Sequence, residues 1–216
     1  MTLVDRAEAG RTLAAELGKM GFSEPPLVLA IAPAAVPVAF EVARALQSEL
    51  DILEVQSFFA RGRAHRELGL VAGDGMRVVH GQVQASLGLS DEAVAEAAGA
   101  VAADIHAREH SWRRRHPRPT FGGRTVVLVA DEAGDDARVD GAVLIARALG
   151  AAVVTVATPS GLRVTLEQVR ADADNVVCLA EEADRASLPA AGPAPDDATV
   201  RTLLERAEEW RAPVPV

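Results

Sequence analysis

Residues 125–147 read T-V-V-L-V-A-D-E-A-G-D-D-A-R-V-D-G-A-V-L-I-A-R, and that order leaves few choices of fold. The run Thr125–Val129 is apolar, rich in β-branched residues and bounded by Gly122-Gly123, the pattern of a parallel strand buried on both faces. Asp131-Glu132 and a short loop follow. Val139, Ala142, Val143, Ala146 and Leu149 then recur at helical spacing. Strand, acidic loop and helix in that order predict an α/β fold with its ligand at the carboxyl end of the strand.

The rest of the chain supports that frame. Asp5–Met20 carries Ala9, Leu13 and Leu17 on one helical face, with Gly21 beyond as a stop. Leu27–Ile31 reads as a strand, Pro37 opens a helix to about Gln47, and Ile52–Val55 reads as a second strand. This βαβ unit predicts a parallel sheet. Residues 56–75 read as irregular, with a short strand at Met76–Val79. Ser90, followed by Asp91-Glu92, caps a helix that runs to about Arg115. Beyond the central unit the pattern predicts a strand at Ala152–Ala157 and a turn at Pro159-Ser160-Gly161. A helix at Leu162–Arg170, a strand at Val176–Leu179 and an irregular stretch to Asp197 follow. The expectation is one α/β domain over 1–216, a central parallel sheet flanked by helices, with its core at about 27–180 and a C-terminal helix at about 198–210.

Gly123-Arg-Thr-Val-Val-Leu-Val129, with the acidic loop and helix behind it, resembles the segment of type I phosphoribosyltransferases that binds phosphoribosyl pyrophosphate (PRPP). The nearer resemblance is to a bacterial family of predicted phosphoribosyltransferases. Asp5-Arg6-Ala7, Val36-Pro37-Val38-Ala39, Glu41-Val42-Ala43, Leu87-Gly88-Leu89-Ser90 and Val177-Cys178-Leu179 all sit in family order, so it spans nearly the whole chain. The resemblance implies a Rossmann-like type I fold, a transferase of nucleotide metabolism, and Mg²⁺ with PRPP as cofactor and substrate if the site is active. It also implies a homodimer or a pairing with a paralogue, and the Ala-rich helix Ala93–Ala103 offers one packing face.

Ribosyl transfer from PRPP needs a carboxylate pair for the ribose hydroxyls and backbone N–H groups at a helix N-terminus for the 5′-phosphate. It also needs a charge-stabilising site for pyrophosphate. The family's central loop runs V-D-D-G-x-A-T-G-A-T. Here Val129 is followed by Ala130, Asp131, Glu132, Ala133, Gly134, Asp135, Asp136, Ala137 and Arg138. The resemblance therefore places Ala130 at the first acid and Asp131 at the second, with Asp131-Glu132 as a pair displaced by one residue. It puts Asp135, Asp136 and Arg138 in the phosphate cradle. Two carboxylates would then face a phosphate dianion, and unit charges 4 Å apart repel by about 4 kcal/mol at an effective dielectric near 20.

The pyrophosphate loop L-P-R-G-G-V-P-V is here Ile31-Ala-Pro33-Ala34-Ala35-Val-Pro-Val38, without the Arg or the glycine pair. Alanine at positive φ costs about 1 kcal/mol or more, so the loop is expected to take another shape. The family's Arg-Lys after the second strand is Gln56-Ser57, and its aromatic C-terminal segment is replaced by 184–195 without an aromatic. The expectation is a phosphoribosyltransferase fold that lacks standard PRPP transfer and binds a small phosphorylated ligand or a partner. The alternative is an active enzyme using PRPP or a related phosphosugar through Asp131, Glu132, Arg138 and an anion loop of Arg61, Arg63, His65 and Arg66.

Other features are blander. His106 and His110 lie four apart on a helix without a third ligand, so no metal site is expected. The net charge of -9 argues against a nucleic-acid partner. No apolar run reaches the roughly 18 residues of a membrane span, and the start of the chain lacks a signal-peptide pattern. A lone Cys178 in an apolar strand reads as a buried, inert thiol in a cytoplasmic protein.

Overall fold

The computed structural model describes residues 5–113, 117–134, 137–188 and 192–210, without the side chains of residues 63–65. It opens with helix α1, Arg6–Gly18, whose N-cap Asp5 accepts from the Ala7 N–H. Five strands form a parallel sheet: β1 (Leu27–Ala30), β2 (Leu50–Ile52), β6 (Thr125–Val129), β7 (Val153–Leu162) and β8 (Asn175–Glu182). Their order is β2-β1-β6-β7-β8, all neighbours parallel. Helices α2 (Val36–Leu46), α5 (Arg138–Ala148) and α6 (Arg163–Asp172) make the crossovers.

Burial on both faces explains the unbroken apolar runs. Along β1 and β6, Leu27, Leu29, Val126 and Leu128 pack into the core under α5 and α6. Val28, Ala30, Val127 and Val129 pack the other way, with α1, α2 and α7 (Asp197–Ala207). Gly10 lets α1 and α2 approach closely, since a Cβ there would lie 2.6 Å from the Val38 carbonyl oxygen.

The expected irregular stretch 56–75 is instead a second sheet. Strands β3 (Val55–Ala60), β4 (Arg63–Ala72) and β5 (Arg77–Val79) pair antiparallel. They carry α3 (Gly81–Leu87) and α4 (Asp91–Arg113) and form a hood over the carboxyl end of the main sheet. Register shifts between Phe58 and Ala60 break the two-residue period by which a strand is recognised. The second parallel strand lies at Leu50–Ile52 rather than 52–55, because Val55 already belongs to the hood. The expected turn Pro159-Ser160-Gly161 also fails: β7 runs straight through it to Leu162, and β8 reaches Glu182.

The hood is tied down by buried charges. Arg113 Nε lies 2.7 and 2.9 Å from the Asp51 carboxylate, its Nη1 donates to Glu109 Oε2 at 2.9 Å and its Nη2 to the Ile52 carbonyl at 2.5 Å. Glu109 accepts from the Glu54 N–H at 3.1 Å, and Glu54 in turn pairs with Arg108 at 2.8 Å. Thus α4 is clamped to the link between the two sheets. At the Arg-rich end of α4, Arg113 is a structural cation; residues 114–116 lie outside the described set.

Candidate functional site

In a sheet ordered 2-1-3-4-5, chain connections run in opposite directions on either side of the first strand, and a crevice opens at the carboxyl ends flanking that point. Here it lies between β1 and β6. The loop after β1 and the loop after β6 meet there, as the sequence implied.

The β6 loop is held in place by β7. The Ala133 N–H donates to the Ser160 carbonyl at 2.9 Å, the Leu162 N–H donates to the Ala133 carbonyl at 2.9 Å, and Thr165 Oγ1 donates to the Gly134 carbonyl at 2.6 Å. Ala133 is fully buried. The loop backbone is therefore already hydrogen-bonded within the protein over 133–134.

Its two acids are engaged as well. Asp131 Oδ2 lies 3.5 Å from Arg6 Nη2, and the Arg6 guanidinium also donates to the Gly192 and Pro193 carbonyls at 2.9 and 2.8 Å. Glu132 Oε1 lies 3.2 Å from Arg185 Nη1, and that guanidinium sits against Gly134, where a Cβ would be 2.6 Å away. Arg6 and Arg185 are far from the acids in sequence, one near each end of the chain, so no local motif could have announced them.

The cradle positions Asp135 and Asp136 lie outside the described residues. Beyond them, α5 begins at Arg138, with Ala137 as its N-cap and no side-chain cap. Asp140 follows in the first turn. Burial, and then Asp172, push its carboxyl above the usual range, with His80 opposing them, and its Oδ1 is buried with no hydrogen-bond partner among the described residues. A carboxylate thus occupies the helix turn beside the cradle.

The β1 loop is a single 3₁₀ turn, Pro33–Ala35, in which the Ala35 N–H donates to the Ala32 carbonyl at 3.0 Å. Ala35 is right-handed, and Gln47 is the one non-glycine residue with positive φ among those described. Gln56 and Ser57 point inward to carboxylates: Gln56 Nε2 donates to Glu54 Oε1 at 2.6 Å, and Ser57 Oγ to Glu67 Oε2 at 2.9 Å. Glu67 Oε1 also lies 3.2 Å from His80 Nε2.

The candidate anion loop belongs elsewhere. Arg61 and Gly62 form the tip of the β3–β4 hairpin, about 20 Å along the strand from Val55 at roughly 3.3 Å per residue. Arg61 pairs with Glu96 at 3.2 Å, and both are widely exposed. Arg66 is exposed on β4, and the side chains of Arg63 and His65 lie outside the description. His106 and His110 are exposed on α4, ring centres 6.5 Å apart; among the described residues no group of three or more metal-type side chains gathers.

Cys178 is half-buried, and burial pushes its thiol up to about 11. Alkylation by iodoacetamide at neutral pH is expected to be roughly 100-fold slower than for an unperturbed cysteine and to accelerate up to about pH 11. Rates measured between neutral and strongly alkaline pH check this; fast labelling at neutral pH would contradict it.

No helix among the described residues is long and apolar enough to cross a membrane. No family model matches the chain. Two Mycobacterium tuberculosis proteins, from strains CDC 1551 and H37Rv, each bear the name "Putative phosphoribosyl transferase" and are 34% identical over 179 residues. That match is 83% of this chain, which spans about 40% of the length of these curated relatives. The crystal structure of TT1426 from Thermus thermophilus aligns with a TM-score of 0.80 and 31% identity, over 98% of this chain and 100% of that one. With a parallel sheet switched at β1, a hood above it and these relatives, the chain belongs to the predicted phosphoribosyltransferase family of type I fold.

Proposed function

We propose that this chain keeps the phosphoribosyltransferase fold but not standard PRPP-dependent transfer, and acts in the cytoplasm by binding a small phosphorylated ligand or a partner protein. The observation that carries this is the pairing of Asp131 with Arg6 and of Glu132 with Arg185. A ribose hydroxyl offered to Asp131 meets a carboxylate already paired with a guanidinium that also holds two backbone carbonyls. Each guanidinium takes up part of the negative potential and accepting capacity of its carboxylate, which leaves less to hold the sugar.

The described residues also do not fit Mg²⁺-pyrophosphate. The turn at Pro33–Ala35 brings no cation, Gln56 and Ser57 are turned to carboxylates, and both acids that could face the metal are already neutralised.

Release of pyrophosphate tests this reading. The full chain, incubated with PRPP, Mg²⁺ and a panel of purine and pyrimidine bases, is expected to release none above the enzyme-free rate. Sustained release dependent on one base would overturn it.

A further inference from the structure

The basic residues of the hairpin tip do not serve the crevice, and their setting suits another task. The stretch Val55–Arg66 holds Arg61, Arg63, His65 and Arg66 and not one acid, in a chain whose net charge is -9. It forms β3, the tip Arg61-Gly62 and the start of β4.

The arm beneath the tip is fixed. Val55 pairs with Ala72 and Phe58 with Gly69 in the antiparallel ladder, and Ser57 Oγ donates to Glu67 Oε2 across it at 2.9 Å. Successive side chains of a strand face opposite ways. Phe58 is buried in the hood core with α4, whereas Phe59 is 41% exposed, one of three large apolar side chains so open among the described residues. Arg61 is 93% exposed, and its partner Glu96 is exposed as well. A pair so open to water is weak and gives way readily to another carboxylate. Arg66 is exposed on the same hairpin.

We propose that this hairpin is the docking element for an acidic segment of a partner protein, with Arg61 and Arg66 taking its carboxylates and Phe59 an apolar side chain among them. Arginine and aromatic residues are enriched in protein interfaces. The chain as a whole is acidic and repels an acidic partner, which leaves the hairpin as the point of approach. The same field disfavours nucleic acid. A strand of phosphates carries its charge along its whole length and would lay the surplus against the acidic body, whereas a protein confines its acids to a patch. The proposal rests on the partner-binding reading above and names the kind of partner.

The full chain is titrated with a fluorescent synthetic peptide built of Glu-Glu-Leu repeats, read by anisotropy, and with single-stranded DNA of equal charge. Binding of the peptide is expected, and Arg61→Gln combined with Arg66→Gln should weaken it at least tenfold. Phe59→Ser should weaken it too, with the salt dependence unchanged, because that contact is apolar. All three positions are exposed, so the variants should melt with the unaltered chain. If one does not, the unaltered chain decides by its preference for this peptide over one with Gln in place of Glu. No binding at about 100 μM peptide, or binding that loss of the arginines leaves intact, would overturn the proposal. Tighter binding of the DNA would overturn it in favour of a nucleic-acid partner. These outcomes are separate from the titration with PRPP, which bears on the loss of ribosyl transfer alone.

Discussion

Replacing Arg113 by Met is expected to destabilise the protein by about 3–5 kcal/mol at neutral pH, one of the largest effects available to a single substitution outside the apolar core. Arg113 is the cation that Asp51 and Glu109 share, and both acids are buried. Without it, Asp51 keeps the Ile52 N–H at 2.7 Å and Glu109 keeps the Glu54 N–H, with Arg118 Nη2 3.7 Å away. These do not offset two buried negative charges.

The pH dependence has a definite sign. Burial already pushes the Asp51 carboxyl above its ordinary value, with Arg113 opposing, so the folded state holds that proton more tightly than the unfolded chain does. Stability therefore falls as pH rises through the window above the ordinary carboxylate value. Removing Arg113 takes away the opposing influence and widens the window upward. Urea unfolding of both proteins at about pH 7 and about pH 5 checks this: the gap between them should shrink at the lower pH, where Asp51 takes up a proton. A gap below about 1 kcal/mol, or one that grows on acidification, would show that the network does not hold the hood.

The second large effect is expected at Gly69. Its φ of 154° and its position opposite Phe58 bring the β5 backbone so close that a Cβ would sit 2.0 Å from the Val78 carbonyl oxygen. Gly69→Ala must push β5 away from β4 and should cost about 2–4 kcal/mol. The loss should be local: amides of β4 and β5 should exchange faster by hydrogen-exchange mass spectrometry while those of β6 and β7 change little. Uniform loss of protection, or none, would contradict the placement of this glycine.

Both positions lie where sequence reading was weakest. Thr125–Val129 matches β6 to the residue because a strand buried on both faces has no period to misjudge. Ser90 is the cap its position suggested, accepting from the Ala93 N–H at 3.3 Å. The hood strands escaped because a bulged antiparallel hairpin with one wet face lacks both a continuous apolar run and clean alternation. Pro159 suggested a turn, yet β7 carries it beyond the end of β6, between the pairs Thr158–Cys178 and Ser160–Ala180, where residue 159 has no ladder partner. At the site, the altered loops could be read from Pro33–Ala35 and Asp131–Arg138, whereas the arginines that fill them could not. Arg6 and Arg185 reach the acids only through the fold, from the first helix and from a turn beyond the last strand.

The central claim, a phosphoribosyltransferase fold whose loop acids Asp131 and Glu132 are paired with its own arginines, meets its most direct test in calorimetric titration of the chain with PRPP and Mg²⁺. The expected result is no detectable heat of binding up to millimolar ligand. Binding at micromolar affinity would contradict it, since it would show that Arg6 and Arg185 do not keep the sugar from Asp131 and Glu132.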